Sequence, residues 1–281
     1  MVVSAAPLTA KDFKSEVKPT WCPGCGDFAV LSATYKALAD LRLRPEQVVV
    51  VSGIGCSSRI PYFCNTYGIH GLHGRALPLA TGVKVARPDL TVIVMGGDGD
   101  LFSIGAGHFP HAARRNLDVL TVCMDNQVYG LTKAQFSPTS FVGHKTKSSP
   151  YGTVEWPMNP VLMALAAGAS WVARGYSGRP KQLQQLIMEG ITHKGFAFLH
   201  VQSPCTEFHN TYTYYDARVQ DIPPDHDPSD YMAAIRLAMP QEKTLLGVFY
   251  KAERPVYEEQ VHALEKVKVE FDPDEFLSRY A

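Results

Sequence analysis

The sequence predicts an α/β protein with a mainly parallel sheet and helices on both faces of that sheet. Short continuous apolar runs recur along the chain, as expected for strands that are covered on both sides. Segments of helical periodicity separate these runs, and this alternation is typical of a parallel sheet. The predicted strands are residues 47–52, 91–95, 119–124 and 197–201. The predicted helices are residues 28–41, about 103–114, 161–167 and 181–193.

The composition limits the class of protein. The 281 residues are 46% apolar and 19% charged, which is enough for one large core. Lys+Arg and Asp+Glu both total 27, so the charge balance favours neither nucleic acid nor an anionic membrane as a partner. No apolar run reaches the roughly 20 residues that span a bilayer. Residues 1–6 lack the pattern of a signal peptide. We therefore expect a cytoplasmic protein with reduced cysteines.

Two segments depart from the regular alternation. Residues 132–160 are rich in Ser, Thr, Lys, Gly and Pro, which predicts a long functional loop over the site or a partner-contact loop. From about Asp216 the chain is polar and interrupted by prolines, with a helical pattern at residues 256–267. The sequence therefore predicts a binding domain over residues 1–215. The C-terminal extension, residues 216–281, is expected to pack on a partner subunit.

Chemically distinctive residues follow all four predicted strands. Cys56 comes after the first strand, Asp98 after the second, Asn126 after the third and Cys205 after the fourth. Parallel sheets bind ligands beyond the carboxyl ends of their strands. We therefore expect these four residues to meet at one edge of the sheet, although they are far apart in the sequence.

The Gly-Asp-Gly-Asp segment at residues 97–100 is a candidate site for a cation bound to a diphosphate. Mg²⁺ prefers six oxygen ligands, several of which come from phosphate and water. Asp98 could supply a carboxylate oxygen, Asn126 an amide oxygen and Val128 a carbonyl oxygen. The glycines leave backbone amides free for phosphate. An acidic structural turn is the alternative. The Gly-x-Gly-x-x-Gly spacing of a nicotinamide site is not met.

Four cysteines form a second candidate site. Cys22 and Cys25 lie in Trp-Cys-Pro-Gly-Cys-Gly, and Cys56 and Cys205 follow predicted strands. Thiolates ligate iron–sulfur clusters and structural zinc alike, and a redox Cys-x-x-Cys pair is a third interpretation. The neighbouring diphosphate site favours the cluster, because a cluster beside an electron-rich organic cofactor has an evident task.

The two remaining cysteines carry weaker signals. Cys123 lies within an apolar predicted strand and is expected to be a core residue. Cys64 is close in sequence to the candidate site, and its role stays open.

In combination, these motifs resemble the thiamine-binding β subunits of 2-oxoacid:ferredoxin oxidoreductases, over most of the chain. The matching segments are residues 21–26, 53–59, 66–76, 147–152 and 203–205, together with Gly97 and Asn126. The resemblance implies the thiamine diphosphate-binding fold. It also implies oxidative decarboxylation of a 2-oxoacid to its acyl-coenzyme A, with electrons passing through one [4Fe–4S] cluster to ferredoxin, in a reaction that could also run in reverse.

Residues 67–75 and the polar tail look more like the 2-oxoglutarate branch of this family, which would make succinyl-CoA. The alternatives are pyruvate or a branched-chain 2-oxoacid as substrate. A third alternative, from another class, is a non-catalytic assembly subunit that is held together by zinc.

The resemblance also implies roles for individual residues. The cluster ligands would be Cys22, Cys25, Cys56 and Cys205. Asp98, Asn126 and the Val128 carbonyl would hold Mg²⁺. The catalytic candidates are His73 and Arg59, and Arg75 and Lys133 are further candidates for binding a second substrate carboxylate. The residues that would contact the cofactor are Ile54, Gly55, Cys56, Ser57, Ser58, His73, Gly97, Asp98, Gly99, Asp100, Asn126, Val128 and Tyr129.

The resemblance implies partners as well. Thiamine enzymes place a carboxylate, usually from Glu, against the aminopyrimidine ring of the cofactor, which lies between two α/β domains. This chain is expected to supply only the diphosphate-binding domain. An α subunit would then supply the pyrimidine domain and the activating Glu, in a dimer of heterodimers. Ferredoxin, coenzyme A and the 2-oxoacid complete the expected partners, and the isolated chain is expected to be inactive.

Overall fold

The structure is a computed structural model that describes residues 8–265 and 272–280. In these ranges the chain alternates between strands and helices, as the sequence predicts. The strands are β1 Val48–Ser52, β2 Tyr67–His70, β3 Thr91–Gly97, β4 Val119–Asp125, β5 Val128–Tyr129, β6 Gln135–Phe136, β7 Trp171–Tyr176, β8 Phe196–Gln202, β9 Val219–Asp221 and β10 Thr244–Lys251. The helices are α1 Asp27–Asp40, α2 Ile60–Phe63, α3 Ala76–Ala86, α4 Phe109–Arg115, α5 Pro160–Ala166, α6 Pro180–Thr192, α7 Tyr212–Asp216, α8 Tyr231–Ala238, α9 Tyr257–Glu265 and α10 Pro273–Ser278.

An eight-stranded sheet forms the centre of the described part of the chain, in the order β2-β1-β3-β4-β8-β7-β10-β9. Strand β10 runs antiparallel to β7, and the other neighbouring pairs in this sheet are parallel. Strands β5 and β6 form a separate antiparallel pair. The predicted mainly parallel sheet is therefore confirmed.

Alternate residues of the central strands pack into cores on opposite faces of the sheet. Val49 and Val51 of β1 pack in the core that includes side chains of α3, α4, α5 and α8. Val48 and Val50 pack in the core that includes side chains of α1 and α6. This two-sided burial explains why the strands are continuous apolar runs. The predicted placement of helices on both faces is confirmed.

Strands β1, β3, β4 and β8 lie side by side in the sheet and run parallel. These are the four strands that precede Cys56, Asp98, Asn126 and Cys205 in the sequence. Since parallel neighbours end at the same edge, the loops that carry these residues meet there.

The predicted helix at residues 103–114 is wrong in its first half. Asp100–Ile104 form a π-helical turn, and α4 begins only at Phe109. A Cβ atom on Gly105 would lie 2.4 Å from the carbonyl oxygen of Asp100, so the backbone packs too closely there for a side chain. Gly105 and Gly107 also disfavour a regular helix. The result is a tight turn directly after the Gly-Asp-Gly-Asp segment.

The C-terminal extension contributes to the same sheet and core as the preceding residues. Leu246 and Phe249 of β10 are fully buried, and Ala234 and Ala238 of α8 pack against the sheet. These elements are absent from the sequence-based prediction. That the extension packs on a partner subunit stays a prediction.

Some predicted features lie outside the described residues. Helix α9 covers most of the helical pattern at 256–267, but residues 266 and 267 are outside the described ranges, as are residues 1–6. Within residues 8–265 and 272–280, none of the helices is both long and apolar enough to cross a membrane.

Candidate functional site

A cavity of about 210 Å³ lies beyond the carboxyl edge of the sheet, between the loops that follow β1, β3 and β4. Of the residues predicted to contact a cofactor, all except Ser58 line this cavity. Ser58 is fully buried in the turn Ser57–Arg59. Three further residues line the cavity and were not predicted from the sequence, namely Gly130, Leu131 and Thr132. The sheet edge therefore brings the predicted cofactor residues together around one cavity.

Asp100 connects the loops around the cavity. Its Oδ1 atom accepts hydrogen bonds from the backbone N–H groups of Ile54, at 3.0 Å, and Gly74, at 2.7 Å. The same oxygen lies 2.9 Å from Nδ1 of His73. A Cβ atom on Gly53 would lie 2.3 Å from this carboxylate, so the first loop packs tightly against it. Asp100 therefore fixes the loops after β1 and β2 relative to the turn after β3.

His73 lines the cavity in an orientation that Asp100 determines. A carboxylate can only accept a hydrogen bond, so Nδ1 of His73 carries the proton in the contact with Asp100. In the neutral ring, Nε2 is then the nitrogen that can accept a hydrogen bond from a ligand. The ring also packs edge-on against Tyr129, with ring centroids 6.1 Å apart.

Asp98 is almost completely buried beside a second carboxyl group, Asp125. The hydroxyl of Thr139 lies 2.6 Å from Asp98 Oδ2 and 2.8 Å from Asp125 Oδ1. Burial, and then the neighbouring charge of Asp125, raise the pKa of Asp98 to about 7. Burial also raises the pKa of Asp125. The Thr139 hydroxyl has one proton, so it can donate to only one of the two carboxyl groups at a time.

The turn after β4 places Asn126 and Val128 at the cavity. Gln127 has a left-handed backbone conformation, with φ of 61°, and its N–H donates to Asp125 Oδ1 at 3.0 Å. The Oδ1 atom of Asn126 accepts the N–H of Val128 at 3.1 Å, and the Val128 carbonyl accepts the N–H of Gly130 at 3.0 Å. Each of these acceptors has a second lone pair, which could ligate a cation.

Hydrogen bonds join the loops that carry the four cysteines. The N–H of Gly26 donates to the carbonyl of Pro204 at 3.1 Å, and the hydroxyl of Tyr212 donates to the carbonyl of Gly24 at 3.0 Å. Nε1 of Trp21 donates to the carbonyl of Cys56 at 2.7 Å. The Cys22–Cys25 turn is thus attached both to the loop after β8 and to the loop after β1.

The sulfur atoms of Cys56 and Cys205 approach the same glycine of the cofactor cavity. A Cβ atom on Gly130 would lie 3.4 Å from Sγ of Cys56 and 3.9 Å from Sγ of Cys205. Burial, followed by the charges of Asp27 and Cys205, raises the pKa of Cys56 to about 11. Burial also raises the pKa of Cys25, with the charge of Asp27 as the next contribution. A metal centre that binds to these cysteines as thiolates would therefore have to displace the thiol protons.

Cys64 and Cys123 lie in the cores on opposite faces of the sheet. Burial raises the pKa of both thiols. All six cysteines are free of disulfide bonds. Among the described residues, no three His, Cys, Asp or Glu side chains are grouped closely enough to hold a metal ion by themselves.

None of the three cationic side chains that were predicted to bind a second substrate carboxylate lines the cavity. Arg59 closes the turn after Cys56 and does not line the cavity; its charge lowers the pKa of Cys56, against the larger effect of burial. Arg75 lies 2.7 Å from Nε2 of His108, measured from its Nη1 atom. Lys133 has a left-handed backbone conformation next to Thr132 of the cavity wall.

Three polar residues near the site had no role predicted from the sequence, namely Asp125, Thr139 and His200. His200 is nearly fully buried in β8, and its Nε2 atom lies 2.7 Å from Oδ2 of Asp125. One signal was available, namely a histidine within an otherwise apolar strand. Thr139 gives no such signal, because it lies in a polar loop.

Comparison with known proteins identifies the class. Residues 47–201 match the model of the C-terminal, thiamine pyrophosphate-binding domain of thiamine pyrophosphate enzymes. Residues 207–266 match the C-terminal model of pyruvate ferredoxin oxidoreductase beta subunits. The fold and the site thus define a thiamine diphosphate-binding domain, as expected from the Gly-Asp-Gly segment.

Individual relatives agree with this class. The chain is 44% identical over 270 residues to a 2-oxoacid:ferredoxin oxidoreductase subunit beta from Sulfolobus sp, covering 90% of this chain and 88% of that protein. It is 40% identical over 254 residues to the 2-oxoglutarate synthase subunit KorB of Methanocaldococcus jannaschii, covering 89% and 94% respectively.

A solved structure is similar over nearly the whole chain. It is a 2-oxoglutarate:ferredoxin oxidoreductase from Magnetococcus marinus with 2-oxoglutarate, coenzyme A and succinyl-CoA bound, with a TM-score of 0.92 and 45% identity. The match covers 98% of this chain and 96% of that one. The chain therefore belongs to the beta subunits of the 2-oxoacid:ferredoxin oxidoreductases, which are oxidoreductases that work with an α subunit.

The contact between Gly99 and Tyr129 yields a test of the cavity geometry. A Cβ atom on Gly99 would lie 2.2 Å from Cε1 of Tyr129, whereas the nearest atom to a Cβ on Gly97 would be 3.7 Å away. Gly99→Ala should therefore destabilise the protein by about 1–3 kcal/mol through overpacking. Gly97→Ala should have little effect. The measurement is the free energy of unfolding of both variants without added cofactor, and equal stabilities would contradict this geometry.

Proposed function

We propose that this chain is the β subunit of a 2-oxoglutarate:ferredoxin oxidoreductase. In this proposal the enzyme decarboxylates 2-oxoglutarate oxidatively to succinyl-CoA, and electrons pass through a [4Fe–4S] cluster to ferredoxin, reversibly. The observation that carries the proposal is the position of Cys56. Cys56 lines the cofactor cavity, and its sulfur atom and that of Cys205 both lie beside Gly130. A group held by these thiolates would therefore lie next to the cofactor.

The cavity suits a diphosphate with a divalent cation. Asp98 is a buried carboxyl group without a cationic side chain among its hydrogen-bond partners in the described chain, and its pKa is raised. A bound cation would supply the missing positive charge and favour the ionised form. With Asn126 and the Val128 carbonyl, Asp98 could fill three positions of an octahedral Mg²⁺ site, leaving the others to phosphate and water.

The four cysteines suit a [4Fe–4S] cluster at the edge of the same cavity. Cys22, Cys25, Cys56 and Cys205 lie on loops that hydrogen bonds join, and thiolates are the usual ligands of such clusters. The local charge supports this interpretation, because a positively charged metal centre would stabilise thiolates whose pKa values are otherwise raised by burial.

Thiamine diphosphate supplies the nucleophilic carbon and the electron-rich character that decarboxylation requires. The residues of this chain would bind and orient it. Asp100 holds the loops, His73 presents Nε2 to the cavity, and Tyr129 packs against both His73 and Gly99. The α subunit would supply the pyrimidine-binding domain and the activating Glu, in a dimer of heterodimers. Coenzyme A would accept the acyl group.

Relatives named for 2-oxoglutarate support this choice of substrate. The 2-oxoglutarate synthase subunit of Methanocaldococcus jannaschii is 40% identical over 89% of this chain. The solved 2-oxoglutarate:ferredoxin oxidoreductase is 45% identical over 98% of it. A second substrate carboxylate would require a cation. Arg59, Arg75 and Lys133 are the proposed candidates, although Arg59 does not line the cavity of this chain.

The direct test is the visible spectrum of the complex of this chain with its α subunit, purified without oxygen. A broad absorbance should bleach when 2-oxoglutarate and coenzyme A are added, because electrons from the substrate reduce the cluster. Bleaching with pyruvate alone would reassign the substrate. A colourless preparation that contains zinc and no iron would contradict the proposal and favour a zinc-stapled assembly subunit.

Cysteine variants serve as controls for this spectrum. Cys205→Ala should abolish the absorbance and lower the iron content, because it removes a proposed ligand. Cys123→Ala should retain both, since Cys123 is buried in the core on one face of the sheet.

The raised pKa of Asp98 predicts pH-dependent binding of Mg²⁺ with thiamine diphosphate. The carboxyl group has a pKa of about 7 without a cation, so below that pH a proton competes with the cation. Affinity should therefore fall about tenfold between about pH 8 and about pH 6, as expected for one competing proton. Calorimetric titration of the cofactor-free complex measures this change.

Asp98→Asn is the matched control for the pH effect. The amide carries no charge, so the variant should bind more weakly. It also has no proton to lose in this range, so its affinity should change less with pH than that of the parent complex. The same pH dependence in the variant and the parent would show that Asp98 is not the titrating ligand.

A further inference from the structure

A chain of polar side chains, four of them buried and the last, Arg174, partly buried, extends from the diphosphate site across the sheet. It runs from Asp98 to Thr139, Asp125, His200 and Arg174. Asp98 follows β3, Asp125 ends β4, His200 lies in β8 and Arg174 in β7, so the chain crosses four neighbouring strands. Polar groups in the middle of buried strands are costly unless they are hydrogen-bonded, and a series of this length calls for an explanation.

The donor and acceptor roles of His200 follow from Arg174. The guanidinium Nε–H can only donate, and it lies 3.3 Å from Nδ1 of His200, so Nδ1 is the acceptor. The ring proton of neutral His200 is therefore on Nε2, which donates to Asp125 Oδ2 at 2.7 Å. Burial, and then the charge of Arg174, lower the pKa of His200, which agrees with a neutral ring.

Asp125, whose carboxylate His200 orients, contacts both parts of the predicted cation site, namely the turn after β4 and the hydroxyl next to Asp98. Its Oδ1 atom accepts the N–H of Gln127, which sets the turn that carries Asn126 and Val128. The same oxygen lies 2.8 Å from the hydroxyl of Thr139, which contacts Asp98. A rotation of the Asp125 carboxylate would therefore disturb all three proposed ligands at once.

The far end of the network does not need a carboxylate partner. Arg174 lines a second cavity of about 180 Å³, which has room for several water molecules. Its guanidinium also lies over the ring of Phe249, 5.2 Å from the centroid. A cation–π contact of this kind stabilises the positive charge of Arg174.

From these contacts we propose that His200 is a positioning residue for the cation and diphosphate site. It fixes the Asp125 carboxylate, and Asp125 in turn orients Asp98 through Thr139 and the turn at residues 126–128 through Gln127. This inference rests on the proposed function, because it requires that the site binds Mg²⁺ with thiamine diphosphate. Partners of this kind behind a metal site typically change metal affinity about 10–100-fold when they are removed.

The test uses the cofactor-free complex of this chain with its α subunit. Calorimetric titration with Mg²⁺ and thiamine diphosphate should show about 10–100-fold weaker binding for His200→Leu. His200→Gln, whose amide can still donate to Asp125, should recover most of the loss. Iron content, and the KM for the 2-oxoacid at saturating cofactor, should not change. These readouts separate positioning of the cation from general damage to the fold.

His193→Leu is the matched control. His193 is also buried, directly after α6, and its Nε2 atom lies 2.7 Å from the hydroxyl of Ser170. It takes no part in the network of His200. Its replacement should leave cofactor affinity unchanged. If His200→Leu does not fold, His200→Phe decides the question, because it keeps an aromatic ring and removes both ring nitrogens.

Three results would overturn the inference. Cofactor affinity of His200→Leu, or of His200→Phe in its place, could equal that of the parent complex. His193→Leu could lose as much affinity as His200→Leu, or His200→Gln could bind no better than His200→Leu. If the parent complex itself fails to bind Mg²⁺ with thiamine diphosphate, the proposed function fails as well, so the two failures are distinguishable.

Discussion

The parallel alignment of β1, β3, β4 and β8 is the constraint on which the site depends. Because these strands are adjacent and end at the same edge, loops from distant parts of the sequence meet around one cavity. Asp100 then fixes the loops by accepting hydrogen bonds from two of them. The helices cover both faces of the sheet and leave only the ends of the strands open. The parallel sheet therefore accounts both for the continuous apolar strands and for the polar site at their ends.

Burial of like charges gives the site its chemistry. Asp98 and Asp125 approach the same hydroxyl and are almost completely buried, and burial raises the pKa of both carboxyl groups. Such a pair is unfavourable in the empty protein and becomes favourable when a cation binds. The thiols of Cys25 and Cys56 have pKa values raised by burial in the same way. Both proposed centres are thus regions where a positively charged group would relieve an electrostatic cost.

Much of this arrangement could be predicted from the sequence, for physical reasons. Apolar runs identify strands that are buried on both sides, and residues at their ends are brought together by topology alone. The polar network behind the site could not be predicted, because Thr139 reaches Asp98 from a loop whose path no periodicity determines. Strand β10 was not predicted, because it follows a polar segment that is interrupted by prolines. The π-helical turn at Asp100 depends on close backbone packing at Gly105, which sequence patterns do not reveal.

The central claim is that a thiolate-bound iron centre lies directly beside the thiamine diphosphate cavity, with Cys56 contributing to both. Anomalous diffraction at the iron edge, from crystals of the complex grown without oxygen, tests this claim most directly. We predict an iron peak enclosed by Cys22, Cys25, Cys56 and Cys205, next to cofactor density at Gly130. A peak at the zinc edge alone, or iron remote from the cavity, would contradict the claim.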